Sequence, residues 1–463
     1  MAEPTPAGAA IPVPEIANEL GARFEAAGHE LHLVGGNVRD LILGRDAAGR
    51  DLDFCTDAHP PETTRVLRGW ADRRYLVGVR FGTVGAVKDG HRIEITTYRQ
   101  EAYAEEHRKP AVTYGHDVET DLSRRDFTIN AMAVRVPGGV LLDPHGGVRD
   151  LAERRLDTPL DPSVAFADDP LRMLRAARFV SQLDVRPTAR VLEAIRSMRD
   201  RLAIVSAERI RDELDELLLG DRPTKGLELL VDSGLADGFL AELPALRLEQ
   251  DPVQQHKDVL RHTYAVVERC DRDVVLRLAA LLHDIGKPAT REITPEGVTF
   301  HHHEVVGARM ARARLQALRY PNAVVEDVSR LIELHLRFHG YGEGWTDSAV
   351  RRYVRDAGPL LDRLNQLTRA DVTTRNERRA ARFERMQDEL EERIAALAEQ
   401  ENLERLRPAL DGRQVMAHLG LPPGPAVGDA LDHLLELRLE RGPMSEDDAY
   451  AELDAWAKEQ GLT

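Results

Sequence analysis

The sequence predicts an α+β fold, in which an N-terminal unit built on a small mixed sheet is followed by an all-helical remainder. Three observations predict it. Strand-like runs fall within the first 145 residues, at Leu31-His32-Leu33-Val34, Asp51 to Phe54, Thr83 to Val87, Arg92 to Thr97, Val134 to Val136 and Leu141-Leu142. From Val148 onward apolar residues recur at helical spacing and no further strands are expected. At 463 residues the chain has material for about two to four domains.

Composition narrows the class. A hydrophobic content of 42% and a charged content of 31% are globular values. The formal net charge of −16 is opposite to that of a generic nucleic-acid binder, so any such partner must meet a local basic patch. Only Cys55 and Cys270 are present, which excludes a disulfide scaffold or a cysteine-zinc site and fits a reducing interior. The first 30 residues lack the basic start and apolar run of a signal peptide, and no 18-residue apolar stretch occurs. A cytoplasmic protein without membrane contact is expected.

Taken in order, residues 1–14, with four prolines, read as a disordered leader. Ile16 to Ala27 reads as a helix through Ile16, Leu20 and Phe24, and Thr63 to Asp72 as another. Tyr75 to Arg80 reads as a strand, and Lys88-Asp89-Gly90 as a hairpin turn. Glu101 to Thr120 is polar and reads as a loop. Helices are predicted at Leu171 to Leu183, Thr188 to Leu202, Ser206 to Leu219 and Lys225 to Ser233, the third with Ser206 as its cap. Pro244 and Pro252 bracket a linker, a second helical unit runs from Val259 to about Arg379, and Gln387 to Gln400 is a charged helix ahead of a final helical pair.

The chemistry centres on LVGGNVRDLILGRDAAGRDLDF, which begins at Leu33. Along a strand, Asp51 and Asp53 point the same way while Leu52 and Phe54 point the other. Two close carboxylates repel unless a cation lies between them, and oxygen ligands suit Mg²⁺ or Mn²⁺. Gly35-Gly36, with no side chains, lets a phosphate approach backbone N–H groups at a helix start. Arg39 either holds phosphate oxygens or pairs with Asp40. Glu94 shares a strand face with Arg92 and Thr96, and is either a third carboxylate of the site or a solvated side chain. Asp126 and Asn130, four apart in RRDFTINAMA, can read ribose hydroxyls.

From Arg172 to Arg211 there are ten arginines and four acids, a local +6. Arg172, Arg175 and Arg178 recur every three residues, and Arg186, Arg190 and Arg196 continue the basic character, a surface suited to phosphate contact; the alternative is a general preference for arginine. Asp169 and Arg172 present an acceptor and a donor fork suited to base edges, or form an i,i+3 ion pair.

LVGGNVRDLILG with DLDF, RRDFTINAMA, DDPLRMLRAARF and SAERIRDEL occur in that order between about residues 30 and 240. In these motifs the chain resembles the bacterial-type (class II) tRNA nucleotidyltransferase and poly(A) polymerase family of DNA polymerase β-like nucleotidyltransferases. The resemblance implies a head over 15–147, a neck over 148–245, a body over 246–380 and a tRNA-contacting tail over 381–463. By the same resemblance Asp51 and Asp53 bind the catalytic Mg²⁺ (or Mn²⁺), and Arg125, Asp126 and Asn130 sit in the nucleotide pocket. Asp169 and Arg172 then select C or A without a nucleic-acid template, Arg175 assists, and Asp168 stands where the family usually has Glu. The implied reaction is transfer of CMP, CMP and AMP from CTP and ATP to the tRNA 3′ acceptor end, with release of pyrophosphate and no role for DNA.

A second set, His262, His283-Asp284, His303, His335 and Asp371, falls in the helical region and suits Mn²⁺, Fe²⁺, Ni²⁺ or Zn²⁺. Its centre, LAALLHDIGKPAT, resembles the HD phosphohydrolase domain, and HTYAVVE, FHHHEVVGA, LIELHLR and TRAD match that domain's outer ligand segments in order. Which of His301 to His303 ligates stays open, the His-Glu pair favouring His303. The resemblance implies either a metal-dependent phosphodiesterase or phosphatase, or a domain that mainly shapes the body. Rival readings are a poly(A) polymerase, a transferase adding only CC or only A, an HD phosphohydrolase whose N-terminal half binds RNA, and a non-catalytic RNA-binding scaffold.

Overall fold

The computed structural model describes residues 10–45, 51–75, 82–102, 111–115, 117–248, 258–295, 297–343, 345–373, 376–401 and 407–462. The chain forms two compact units that divide after Phe239.

In the first unit, α1 (Glu15–Ala26) turns Leu20, Gly21 and Phe24 inward, and β1 (Leu31–Val34) is buried throughout. Next come α2 (Gly36–Ile42), β2 (Leu52–Thr56), α3 (Pro60–Val66), β3 (Arg73–Tyr75), β4 (Thr83–Lys88) and β5 (His91–Thr97). Asp89 and Gly90 join β4 to β5 with φ of 48° and 82°, the positive pair that matches strand twist in a two-residue hairpin. After β6 (Arg99–Ala102), β7 (Ala111–Tyr114) and α4 (Val118–Ser123), the strands β8 (Ala133–Val136) and β9 (Val140–Leu142) complete the head. Seven strands form one mixed sheet, ordered β3-β4-β5-β2-β1-β8-β9. Its one parallel pairing, β2 with β5, sets Asp53 opposite Glu94.

The rest of this unit is mainly helical: α5 (Gly147–Ala152), β10 (Arg155–Leu156), α6 (Pro162–Asp168), α7 (Leu171–Leu183), β11 (Arg186–Pro187), α8 (Ala189–Met198), α9 (Ala207–Leu218) and α10 (Pro223–Asp232). α7 spans the predicted residues, and its fully buried Met173, Leu174, Ala176 and Ala177 face α9 and α10. Ser206 caps α9, its hydroxyl accepting from the Arg209 N–H at 3.5 Å.

The second unit contains α11 (Val259–Arg269), α12 (Val274–Leu282), α13 (Lys287–Thr290), β12 (Arg291–Thr294), β13 (Gly297–Phe300), α14 (His303–Ala317) and α15 (Asn322–Leu334). It continues through α16 (Asp347–Ala357), α17 (Leu361–Asp371), α18 (Glu377–Glu401), α19 (Gly412–Leu419), α20 (Pro425–Arg441) and α21 (Glu446–Glu459). The last three bury a core of their own around Val415, Leu434 and Leu453. Among the described residues no helix is long and apolar enough to cross a membrane.

Several local expectations are corrected. Part of the expected leader is ordered: Ile11 is buried, and its N–H donates to Gly139 O at 2.8 Å on the sheet edge. Residues 1–9 lie outside the described residues. The expected loop at Glu101 to Thr120 contains the end of β6, all of β7 and the start of α4, because backbone pairing with Arg99–Ala102 overrides its polar composition. The helix predicted at Thr63 begins at Pro60, where two prolines occupy the first turn and the Glu62 carboxylate accepts from the His59 N–H at 2.9 Å. β3 ends at Tyr75, where the predicted strand began, and most of that strand falls outside the described residues. Strand pairs persist after Val148, as the two-residue β10–β11 ladder and the β12–β13 hairpin, too short for periodicity to reveal. Pro244 starts a short 3-10 turn, and Pro252 lies outside the described residues. α18 starts ten residues before the expected Gln387, and three helices, not two, close the chain.

Candidate active site and metal centre

β2 carries the first site. Leu52 and Phe54 are buried while Asp51 and Asp53 turn outward, as the alternation requires. The parallel register brings Glu94 beside Asp53, so the third carboxylate belongs to this cluster. Asp53 is exposed on an interior strand of the sheet, yet enough protein surrounds its carboxyl for burial to act on it. Burial, then Glu94 and Asp51, push its pKa up to about 6 against the pull of Arg125. Asp51 has Arg92 at 3.9 Å, an exposed and weak contact. A carboxyl crowded by two others is what a divalent cation relieves, and an all-oxygen donor set fits Mg²⁺ or Mn²⁺.

The strand is held by a residue that the sequence reading passed over. The Asn37 side chain donates to Asp51 O at 2.8 Å and accepts from the Asp53 N–H at 3.0 Å, tying α2 to both ends of the Asp-Leu-Asp run. Gly35 adopts φ 69°, and a Cβ there would lie 3.1 Å from the Arg125 guanidinium. Gly36 opens α2 and lies close to the Arg39 guanidinium. Arg125 in turn pairs with the fully buried Asp121 at 3.2 Å, another residue not singled out from sequence.

Behind this turn lies a polar network. Asp126 accepts from the Phe127 N–H at 2.8 Å, from Asn130 at 3.1 Å and from both Arg175 Nε and Nη2 at 2.8 and 2.6 Å. Burial alone would raise its pKa, but Arg175, Asn130 and the backbone N–H outweigh that and hold the carboxyl well below the usual range. Arg39 donates to Asn130 at 2.8 Å and pairs with Asp40 at 3.1 Å, which is its structural alternative. Arg175 and Arg178 share the buried Glu213 at 3.3 and 3.2 Å. The guanidinia of Arg39, Arg175 and Arg178 gather around the buried Phe179 ring at 5.5, 5.5 and 4.6 Å. Two arginines of the expected phosphate-facing stripe, Arg175 and Arg178, are thus engaged by acids of the chain. Their positive charge is matched by interior acids that lie on other elements.

Asp169 and Arg172 do not form their i,i+3 pair. Asp169 accepts from Arg209 of α9 at 2.6 Å, and Arg172 donates to Arg124 O at 2.6 Å and Ala165 O at 3.3 Å. From sequence, Arg209 stood out as part of the SAERIRDEL motif and as a possible partner for the start of the turn that Ser206 caps. Arg190 is committed to Asp157 at 2.7 Å, while Arg186 and Arg196 are exposed.

The second set converges as a cluster. His262 lies on α11, His283 and Asp284 follow α12, His303 opens α14, His335 follows α15 and Asp371 ends α17. His283, His303 and His335 each turn Nδ1 to the carbonyl three residues earlier, at 2.8, 2.9 and 2.6 Å, and His262 Nδ1 meets Thr373 Oγ1 at 2.7 Å. A carbonyl only accepts, so His283, His303 and His335 each carry a proton on Nδ1 and turn Nε2 toward the cluster. His262 Nε2 lies 2.9 Å from Asp371, and His283 and His303 Nε2 lie 3.2 and 3.4 Å from Asp284. His303 is buried while His301 and His302 are exposed, so His303 is the histidine that enters the cluster. Gly286 permits the close approach of α14: a Cβ there would sit 2.2 Å from His303 O. Burial opposes charge on His283, but Asp284 and Asp371 outweigh it and lift its pKa to about 10. Burial and the neighbouring His283 push His335 the other way, to about 3, and the imidazole and carboxylate donors of the cluster fit a mid-row divalent ion.

A mixed sheet thus bears three clustered carboxylates, and the Asp126–Arg175 pair ties it to the helix that follows. Residues 31–157 match the family model described as "Poly A polymerase head domain". Residues 185–246 match "Probable RNA and SrmB- binding site of polymerase A", and residues 258–399 match "HD domain". The A-adding tRNA nucleotidyltransferase of Deinococcus radiodurans is 34% identical over 444 residues, covering 92% of this chain and 95% of that one. The CCA-adding enzyme of Geobacillus thermodenitrificans is 31% identical over 406 residues, covering 88% and 87%. The crystal structure of the Bacillus stearothermophilus CCA-adding enzyme in complex with CTP superposes with a TM-score of 0.72 at 25% identity, covering 96% and 98%. The chain belongs to the class II tRNA nucleotidyltransferase family, and carries a fused HD domain.

Proposed function

We propose that the protein adds or repairs the 3′-terminal CCA of tRNA in the cytoplasm, using CTP and ATP without a nucleic-acid template. The observation that carries this reading is the cluster of Asp51, Asp53 and Glu94 on paired strands, a cradle for Mg²⁺ (or Mn²⁺). When bound, the metal supplies an activated 3′ hydroxyl and charge neutralisation at the triphosphate. The chain's own part is to aim the carboxylates through Asn37, to shape the turn at Gly35 through Arg125, and to offer Asp169 and Arg172 to the base. A second reading, addition of A alone, is favoured by the near full-length similarity to an A-adding enzyme. tRNAs ending at the discriminator base, at C or at CC, each incubated with CTP, ATP or both, decide between them. Full CCA on the shortest substrate is expected. Extension of the CC end alone would replace this reading with the second, and long A tails on generic RNA would sink both.

Two variants test the supporting residues. Asn37→Ala is expected to lower kcat roughly 10- to 100-fold with little change in KM for CTP, because it misplaces the carboxylates without touching nucleotide. Arg209→Ala releases Asp169, so the kcat/KM preference for CTP and ATP over UTP and GTP should shrink about tenfold. An unchanged ratio would mean that Arg209 only packs α9.

The HD cluster supports a second activity, metal-dependent hydrolysis of a phosphoester. The bare Nε2 atoms and the adjoining Lys287, 2.7 Å from Asp284, favour it over a purely architectural role.

A further inference from the structure

Asp126 and Asn130 are not equally free to meet a sugar. The Asp126 carboxylate already accepts four hydrogen bonds, from the Phe127 N–H, from Asn130 and from two nitrogens of Arg175, which fills its acceptor positions. The Asn130 amide donates once, to Asp126 at 3.1 Å, and its oxygen accepts once, from Arg39 at 2.8 Å. Among the described residues, one of its N–H bonds and one lone pair stay uncommitted, a donor and an acceptor suited to a sugar hydroxyl. Where that amide points depends on how the 3-10 turn Thr128–Asn130 is held.

The turn is held from α5. The buried Thr128 hydroxyl donates to Asp150 Oδ2 at 2.6 Å, and a Cβ at Gly147 would lie 2.3 Å from Thr128 O, so helix and turn meet at backbone distance. Asp143 fixes the start of that helix, accepting from the Gly147 and Val148 N–H groups at 2.6 and 3.0 Å. From the other side the Thr128 N–H donates to Asp157 O at 2.8 Å, and the Asp157 carboxylate accepts from Arg190 at 2.7 Å and Thr188 at 3.1 Å. Asp150 is 1% exposed, and among the described residues Thr128 supplies the one hydrogen bond that its side chain makes. Its second oxygen meets charge at longer reach, Arg155 at 3.7 Å and Arg149 at 4.0 Å. Burial pushes its pKa up, and the Thr128 hydroxyl is the first of the groups that pull against it. An apolar side chain would pack a six-residue helix at less desolvation cost. What the carboxylate adds is a fixed acceptor for Thr128, two residues before Asn130.

From this we propose that Asp150 is a positioning residue for ribose selection, acting through the Thr128 hydroxyl to set the Asn130 amide against the sugar of the incoming nucleotide. The proposal rests on the reading of the head as a nucleotidyltransferase that uses ribonucleotides. A hydrogen bond to a 2′ hydroxyl discriminates only when donor and acceptor are aimed before the sugar arrives, and a shift of about 1 Å in the turn is enough to lose it.

The test is the ratio of kcat/KM for ATP to that for 2′-deoxy-ATP, measured with the full chain on tRNA ending at CC, a substrate that full CCA addition and addition of A alone both extend. Both values come from one preparation, so a loss of stability or of folded fraction cancels from the ratio. Thr128→Val removes the hydroxyl and keeps the shape, and Asp150→Ala removes its acceptor. Each is expected to lower the ratio about tenfold, and the double variant no further than either single, as residues that act as a unit do. Thr128→Ser keeps the hydroxyl and should retain the ratio. If Asp150→Ala does not fold, Thr128→Val and Thr128→Ser decide. An unchanged ratio in Thr128→Val, or a wild type that uses the two nucleotides equally, overturns the positioning role and leaves nucleotide addition in place. A wild type that adds no nucleotide overturns the reading of the head as well.

Discussion

Asp53→Asn is expected to lower kcat for nucleotide addition by at least about 10³, the loss that follows when a preorganised charge partner of the transition state is removed. The substitution keeps the shape of the side chain and its backbone bond to Asn37, so the strand register should not change. What is lost is the formal charge at the centre of the carboxylate cluster, where Glu94 and Asp51 already resist its ionisation. Removing that repulsion should leave the metal-free protein as stable as the wild type or more so, the usual relation between a strained site and its scaffold. Single-turnover addition to a tRNA lacking its end, with Tm measured in EDTA, reads both effects. The phosphoester hydrolysis proposed for the HD cluster should persist. A variant that retains more than a tenth of the addition rate would remove Asp53 from the metal site.

Local patterns in the sequence carried much of this site, and pairing at a distance carried the rest. Alternation around Leu52 and Phe54 placed Asp51 and Asp53 on one face. Glu94 stayed open until the parallel pairing of β2 with β5 fixed its neighbour. The limits of α7 and the Ser206 cap were legible because both follow from nearby residues. The partners of the arginines were hidden for the opposite reason. Arg39 meets Asn130 across 91 positions, Arg175 meets Asp126 across 49 and Arg178 meets Glu213 across 35. An arginine whose partner arrives from a distant segment looks like a free cation in sequence. The HD cluster was legible as a motif, but the convergence of its Nε2 atoms depends on backbone carbonyls that sequence does not display.

The same reasoning makes Asp126 a structural charge, whatever it does for nucleotide. Asp126→Ala removes the acceptor of four hydrogen bonds and strands Arg175 with only Glu213, which Arg178 already shares. Breaking a buried ion pair from one side costs about 3–5 kcal/mol, so the urea midpoint should fall sharply. Asp126→Ala with Arg175→Met should lose less than the two single variants together, because no charge is then left stranded. The pH dependence has a definite sign. The folded carboxyl titrates well below its unfolded value, so its contribution is fully present above about pH 4 and decays only as pH falls below that toward the folded pKa. The gap in stability between wild type and Asp126→Ala should therefore stay flat from pH 8 to about 5 and narrow below about 4. An Asp126→Ala protein with an unchanged urea midpoint but a raised KM for CTP would show that the carboxylate serves the nucleotide alone. A midpoint that drops while the double variant recovers would place it first in the frame that holds α7 against the head.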